Sequence, residues 1–289
     1  MVERLSAAPM RHLLALLLLL STCSVTAQER YTFGVVPQFE PGRIAATWQP
    51  ILRELETRTG FRIELVGAPG IPAFEQAFMA GAYDFAYMNP YHSVLAGEQQ
   101  GYVPLVRDGG RELFGVLVVH RDSPLQLVAE LDGKTVAFPA PNALGASLLI
   151  RADLDQIHQI QVQPLYTQTH SSTYLQVALG RVAAGGGVLS TLLQQPLPVR
   201  NRLRIIYRTR GMPPHPITAH PRVPVAVRTQ MQQALLDLAA TTTGAALLAD
   251  VPLIDMDRAT LEEYAPLRQW GLERYFISSP APTAPPRSP

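Results

Sequence analysis

Short apolar runs of strand length alternate with segments of helical period along most of this chain, and that alternation restricts it to a layered α/β architecture. Residues 31–36 predict a buried first strand, which Pro37 ends. Ile44, Trp48, Ile51, Leu52 and Leu55 then recur at helical spacing, closed by Thr59-Gly60. Residues 62–66 form a second strand. Phe74, Ala77 and Phe78 mark a helix that stops at Gly81, and residues 84–88 a third strand ending at Asn89-Pro90. Strands joined through helices pair in parallel, so a mostly parallel sheet flanked by helices is expected.

The apolar run at 113–120 carries the chain out of this first lobe. A second cycle follows: strand 135–138, helix 143–153, strand 160–166, helix 172–179, with 183–188 and 203–207 completing a second lobe. Gly211-Met212-Pro213-Pro214 reads as a return crossing, after which Val227, Met231, Leu235 and Leu238 form one helical face. The expected organisation is lobe 1 over 28–115, lobe 2 over 116–209, and a return to lobe 1 over 210–277. Two lobes joined by two hinge crossings make a clamshell, whose ligand lies at strand C-terminal ends and helix N-termini.

Residues 1–27 read as a signal peptide. Arg4, Arg11 and His12 precede an apolar run at 13–20, and Val25 and Ala27 have the spacing of a cleavage site. Met10 is an equally serviceable start. The sole cysteine, Cys23, lies inside this segment in the setting Leu20-Ser21-Thr22-Cys23, so a second reading makes it a lipid-bearing first residue. A thiol confined there leaves the rest of the chain without disulfides or zinc thiolates, as suits a periplasmic protein. The tail 278–289 is Pro-rich and expected to be disordered. With 24 basic against 23 acidic side chains the chain is not built for nucleic acid or anionic membrane. No metal-like spacing of His, Asp and Glu is present, and no cofactor is expected.

Three loops follow predicted strands. Tyr87-Met88-Asn89-Pro90-Tyr91-His92 offers phenols, an amide and an imidazole. Its plain alternative is a turn whose aromatics pack on the core. In Pro141-Asn142-Ala143-Leu144-Gly145, Asn142 stands where a helix N-cap belongs. A helix start there presents unpaired N–H groups and the positive end of the helix dipole, which suits an anion. Thr169-His170-Ser171-Ser172 leads into another helix, which Ser171 or Ser172 would cap, while His170 could meet an anion or serve structure alone. Gly185-Gly186-Gly187 lets backbone approach closely without matching a phosphate loop. His215 and His220 belong to the return crossing, with His215 the one placed to face the cleft. No nucleophile elbow, zinc signature or dinucleotide fingerprint is present, so binding without turnover is the simpler account.

With these loops in view the chain resembles the phosphate/phosphite/phosphonate-binding family of periplasmic solute-binding proteins, type II receptors of ABC importers. The resemblance rests on GVVPQFEP (34–41), DFAYMNPYH (84–92), TVAFPAPNALGAS (135–147), THSSTYLQVALG (169–180) and GMPPHPITAHPRVP (211–224). It implies a cleft closing on a small oxyanion held by Asn142, Ala143, Leu144, Gly145, His170, Ser171 and Gly186 of lobe 2, with Phe39, Tyr87, Asn89 and Tyr91 from lobe 1. It also implies handover to an importer permease; the alternative is a sensor presenting its ligand to a membrane receptor kinase. Family members gripping phosphonates carry Ser-Thr-Ser where this chain has Ala143-Leu144-Gly145, which leaves backbone donors. An acidic residue common before the glycines is also missing, where this chain reads Val182-Ala183-Ala184. Tyr87→Ala and His170→Ala are expected to weaken binding with little change in the melting temperature of the ligand-free protein.

Overall fold

A computed structural model describes residues 28–278. The expected signal peptide, Cys23 and the tail beyond Ser278 lie outside the described residues.

The first half-lobe runs β1 (Arg30–Val35), α1 (Pro41–Thr59), β2 (Arg62–Val66), α2 (Ile71–Met79), β3 (Phe85–Tyr87), α3 (Pro90–Gln100) and β4 (Val103–Asp108). Helix α1 buries Trp48, Ile51, Leu52 and Leu55, the face its periodicity predicts, and ends at Gly60 with φ +76, a left-handed cap that glycine takes without strain. The chain then crosses over as β5 (Gly115–His120), β6 (Thr135–Phe138), α4 (Leu149–Gln156), β7 (Gln163–Tyr166), α5 (His170–Ala178) and β8 (Ala184–Val188). Two short helices, α6 (Leu189–Leu193) and α7 (Leu197–Arg200), lead to β9 (Leu203–Arg208). The return comprises β10 (Ile217–Ala219), α8 (Val225–Ala239), α9 (Thr242–Ala249), β11 (Met256–Arg258) and α10 (Leu261–Tyr264). Among the described residues no helix is long and apolar enough to cross a membrane.

Two sheets result, ordered β11-β4-β10-β3-β1-β2 and β7-β6-β8-β5-β9. This is the expected two-lobe α/β architecture, but the sheets are mixed instead of mostly parallel. β1 pairs in parallel with β2 and β3, and β6 with β7 and β8. The strands that enter or return from the other lobe run against them: β10 between β3 and β4, and β5 between β8 and β9. A strand fed from a crossing, and not from a helix packed on its own sheet, arrives from the opposite end.

Lobe 2 packs both faces of its sheet. Leu117 and Val119 of β5 join one apolar cluster with Phe138 and Ile150, and Val116 and Val118 join another with Tyr174 and Val177. The third cluster is the core of lobe 1, and it also takes in Ala143, Leu144, Ala146, Leu148 and Leu149 from lobe 2. The turn after β6 therefore packs into the opposite lobe, and the two halves are closed on one another there.

Candidate functional site

Where β6 ends, Pro139 and Pro141 stop the strand, and the chain turns into helix through a π-helical segment, Leu144–Leu148, continuous with α4. The cap position belongs to Ala143, not to Asn142. The Ala143 carbonyl accepts from both Ser147 N–H (2.7 Å) and Leu148 N–H (3.1 Å). Among the described residues no group accepts from the N–H of Leu144, Gly145 or Ala146. The first N–H groups of a helix have no intrahelical partner, and here three such groups lie on buried residues.

These residues wall a small interlobe cavity of about 10 Å³, the room of a single water, together with Val36, Gln38, Asn89, His170 and His215. Beyond it opens a larger one of about 190 Å³ between Phe39, Trp48 and Tyr87 on one side and Phe114 and Thr191 on the other. Val36, Gln38 and His215 line both. Two of these shared residues touch each other, with the Gln38 Nε2 and His215 Nε2 atoms 3.5 Å apart.

His170 opens α5, whose N-cap is Thr169, accepting from Ser172 N–H at 3.1 Å; neither Ser171 nor Ser172 fills that role. The imidazole is 2 % exposed and its Nδ1 is 3.0 Å from Thr191 Oγ1. Burial drives its pKa down to about 3, so the ring is neutral. His215 stacks on Tyr87 with ring centroids 5.3 Å apart. Its pKa is also pushed down to about 3, first by burial and then by the neighbouring His170 and His92. Two neutral buried imidazoles thus stand beside three backbone amides for which no acceptor is found among the described residues.

The expected residues divide by location. Ala143, Leu144, Gly145, Asn89 and His170 line the small cavity, and Phe39 and Tyr87 the large one. Four lie off both walls. Tyr91 packs on Phe276 of the C-terminal segment, 6.0 Å between ring centroids. Ser171 sits on the first turn of α5 outside either cavity. Gly186 lies inside β8, where a Cβ would strike the Ala146 carbonyl and the Phe138 ring, so its bareness lets the π-helical turn pack on the sheet. Asn142 is spent on the protein: its Nδ2 donates to Glu75 Oε2 (2.9 Å) and the Ile277 carbonyl (2.8 Å), and its Oδ1 accepts from Ile277 N–H (2.9 Å). Tyr87 is 4 % exposed in the central strand β3 and packs against Trp48, so the expectation that its removal spares stability is corrected. Gln38, Arg43, Trp48, Phe114 and Thr191 were not singled out. Gln38 lies within the GVVPQFEP stretch that carried the resemblance, but Thr191 sits in an unremarkable Leu-Ser-Thr-Leu run.

Several hydrogen bonds hold the lobes together around these cavities. His170 N–H donates to the Gln38 carbonyl at 3.1 Å, and Arg43 Nη2 to Gln194 Oε1 at 3.2 Å. Asn89 Nδ2 donates to the Asn142 carbonyl at 3.4 Å. Among the described residues no cluster of three or more His, Cys, Asp or Glu could hold a metal ion.

A family model described as "ABC transporter, phosphonate, periplasmic substrate-binding protein" matches residues 33–264. The curated "Phosphate-import protein PhnD" of Mycolicibacterium smegmatis is 25% identical over 183 residues, and the match spans 57% of this chain and 57% of that relative. Among solved structures, the binding-protein component of an ABC phosphonate transporter from Pseudomonas aeruginosa superposes with a TM-score of 0.78 at 17% identity, covering 86% of this chain and 88% of that one. PhnD1 from Prochlorococcus marinus, in complex with methylphosphonate, gives 0.77 at 15% identity over 86% and 99%. At these identities the likeness is one of fold.

Proposed function

Because the chain belongs to the family of periplasmic substrate-binding proteins of phosphonate ABC transporters, we propose that its interlobe site binds a small oxyanion, phosphate-, phosphite- or phosphonate-like, and presents it to an importer permease. The observation that carries this reading is the run of three N–H groups without acceptors, Leu144 to Ala146, in one wall with His170, His215, Asn89 and Gln38. Backbone amides at a helix start serve an anion without a charged side chain.

The family's hydroxyl cluster is replaced by Ala143-Leu144-Gly145, so imidazoles supply what hydroxyls would. The oxyanion favours the protonated ring, and binding draws protons onto His170 and His215 that burial alone keeps off. The small cavity is narrow in this closed arrangement, so entry of a tetrahedral head group requires the lobes to part and re-close around it. Residues 1–27 direct export and are cleaved off after Ala27. In this reading the site's task is capture and release.

Protein unfolded and refolded to strip bound solute, then titrated calorimetrically with phosphate, phosphite, methylphosphonate and phenylphosphonate, tests this. One site per chain is expected for at least one oxyanion, with His170→Ala lowering affinity at least tenfold. Indifference of the folded protein to every oxyanion overturns the reading.

A further inference from the structure

We infer that the natural ligand carries a sizeable apolar or aromatic organic group on its oxyanion, so that organophosphonates or phosphate monoesters are preferred over inorganic phosphate, phosphite and methylphosphonate. This rests on the reading above, in which the anionic head is held at the turn after β6.

The space is distributed unequally. The head-group cavity holds about 10 Å³, whereas the neighbouring cavity, which shares Val36, Gln38 and His215 with it, holds about 190 Å³. A bare tetrahedral anion seated at the amides would leave that second volume to water. Apolar side chains make up much of its wall: Phe39, Trp48 and Tyr87 from lobe 1, Phe114 and Leu189 from lobe 2. Such a surface is suited to a flat or branched hydrocarbon, whose burial supplies binding free energy in proportion to area.

The one buried charge in its wall is engaged within the protein. Arg43 lies 3.7 Å over the Phe39 ring and bonds Gln194. Asp108 is buried and accepts from Arg111, from Gly110 N–H and from Ile254 N–H. Glu112 and Asp250 are exposed, at the mouth. With Asp108 engaged, an ammonium carried into the buried part of the cavity would find no free carboxylate there, the other two acids of the wall being exposed. An anionic head beside the amides with an aryl group in the larger cavity is the chemistry shared by an arylphosphonate and an aryl phosphate.

Calorimetric titration of the refolded protein with phosphate, methylphosphonate, phenylphosphonate, phenyl phosphate and 2-aminoethylphosphonate decides the point. Phenylphosphonate or phenyl phosphate is expected to bind at least tenfold more tightly than phosphate, methylphosphonate and the aminoethyl compound. Thr47→Trp, which introduces an indole from α1 into the large cavity, is expected to abolish that advantage while leaving methylphosphonate affinity within threefold. Equal or tighter binding of the small or aminated anions by the wild-type protein overturns the inference and leaves oxyanion binding standing. Failure of all five to bind removes the underlying reading as well. Should Thr47→Trp not fold, the wild-type ranking is decisive and Thr47→Leu reports partial filling.

Discussion

Asn142 reaches across the interlobe gap to Glu75, with its Nδ2 2.9 Å from the Glu75 Oε2, while Glu75 Oε1 stands 2.9 Å from His92 Nε2. The same amide group exchanges two hydrogen bonds with the backbone of Ile277. One carboxamide thus ties helix α2, the turn after β6 and the C-terminal segment together. The segment is fastened again where Arg151 Nη2 donates to the Tyr275 carbonyl at 2.8 Å. It forms a third connection between the lobes beside the two chain crossings.

Asn142→Ala is therefore expected to destabilise the protein by about 2–3 kcal/mol, because it leaves a buried carboxylate oxygen and two backbone groups without partners. Urea unfolding of the ligand-free protein measures this. Unchanged stability would mean that the amide is dispensable as a tie and available to a ligand.

Ligand-free stability should fall as pH drops. His170 and His215 ionise near 6.5 when unfolded and at about 3 when folded, so between those values the unfolded chain binds more protons. Each ring then withdraws up to about 1.4 kcal/mol per pH unit, and the effect is absent above pH 7. Denaturant titrations from pH 7.5 to 4.5 should show a shallower slope in a His170→Gln/His215→Gln variant than in wild type. Equal slopes would place the titration elsewhere.

Oxyanion binding should be accompanied by proton uptake. Calorimetry near pH 7 in buffers of different ionisation enthalpy, corrected for the ligand's own titration, is expected to show protons taken up, fewer of them in His170→Gln. Proton-neutral binding would show that neither ring faces the anion.

Tyr87 distinguishes packing from recognition. Tyr87→Ala is expected to cost about 3–5 kcal/mol, since the ring fills space between Trp48 and His215 in β3. Tyr87→Phe should cost under about 1 kcal/mol, because the hydrogen bond from the hydroxyl to the Val251 carbonyl is long, at 3.5 Å. Thermal and denaturant unfolding of both variants separates these outcomes.

Gly186→Ala should destabilise by about 1–3 kcal/mol or more, because the new methyl meets the Ala146 carbonyl, which is backbone and cannot swing aside. A neutral substitution at Gly186 would reopen a ligand-facing role for the glycine run.

Much of the architecture was legible in linear order. The face of α1, the strands that end at prolines, and the arrangement of two α/β units with a return all follow from periodicity and chain breakers, which act over a few residues. Even the glycine run and the turn after β6 were visible as places of close approach. What each approached was not: Gly186 faces its own protein's Ala146, whereas the N–H groups of Leu144 to Ala146 find no acceptor among the described residues.

Sequence alone therefore determined the two-lobe fold, and with it the cleft and the turn that forms one wall. Tertiary structure alone decided which polar groups are left for a ligand. Asn142 and His170 look alike as motif residues, yet Asn142 meets Glu75 and Ile277 from 67 and 135 residues away, and His170 meets Thr191 and opens onto a cavity. Hydrogen-bond partners that distant leave no trace in local spacing. Whether a donor is spent or available is fixed only when the lobes and the C-terminal segment come together.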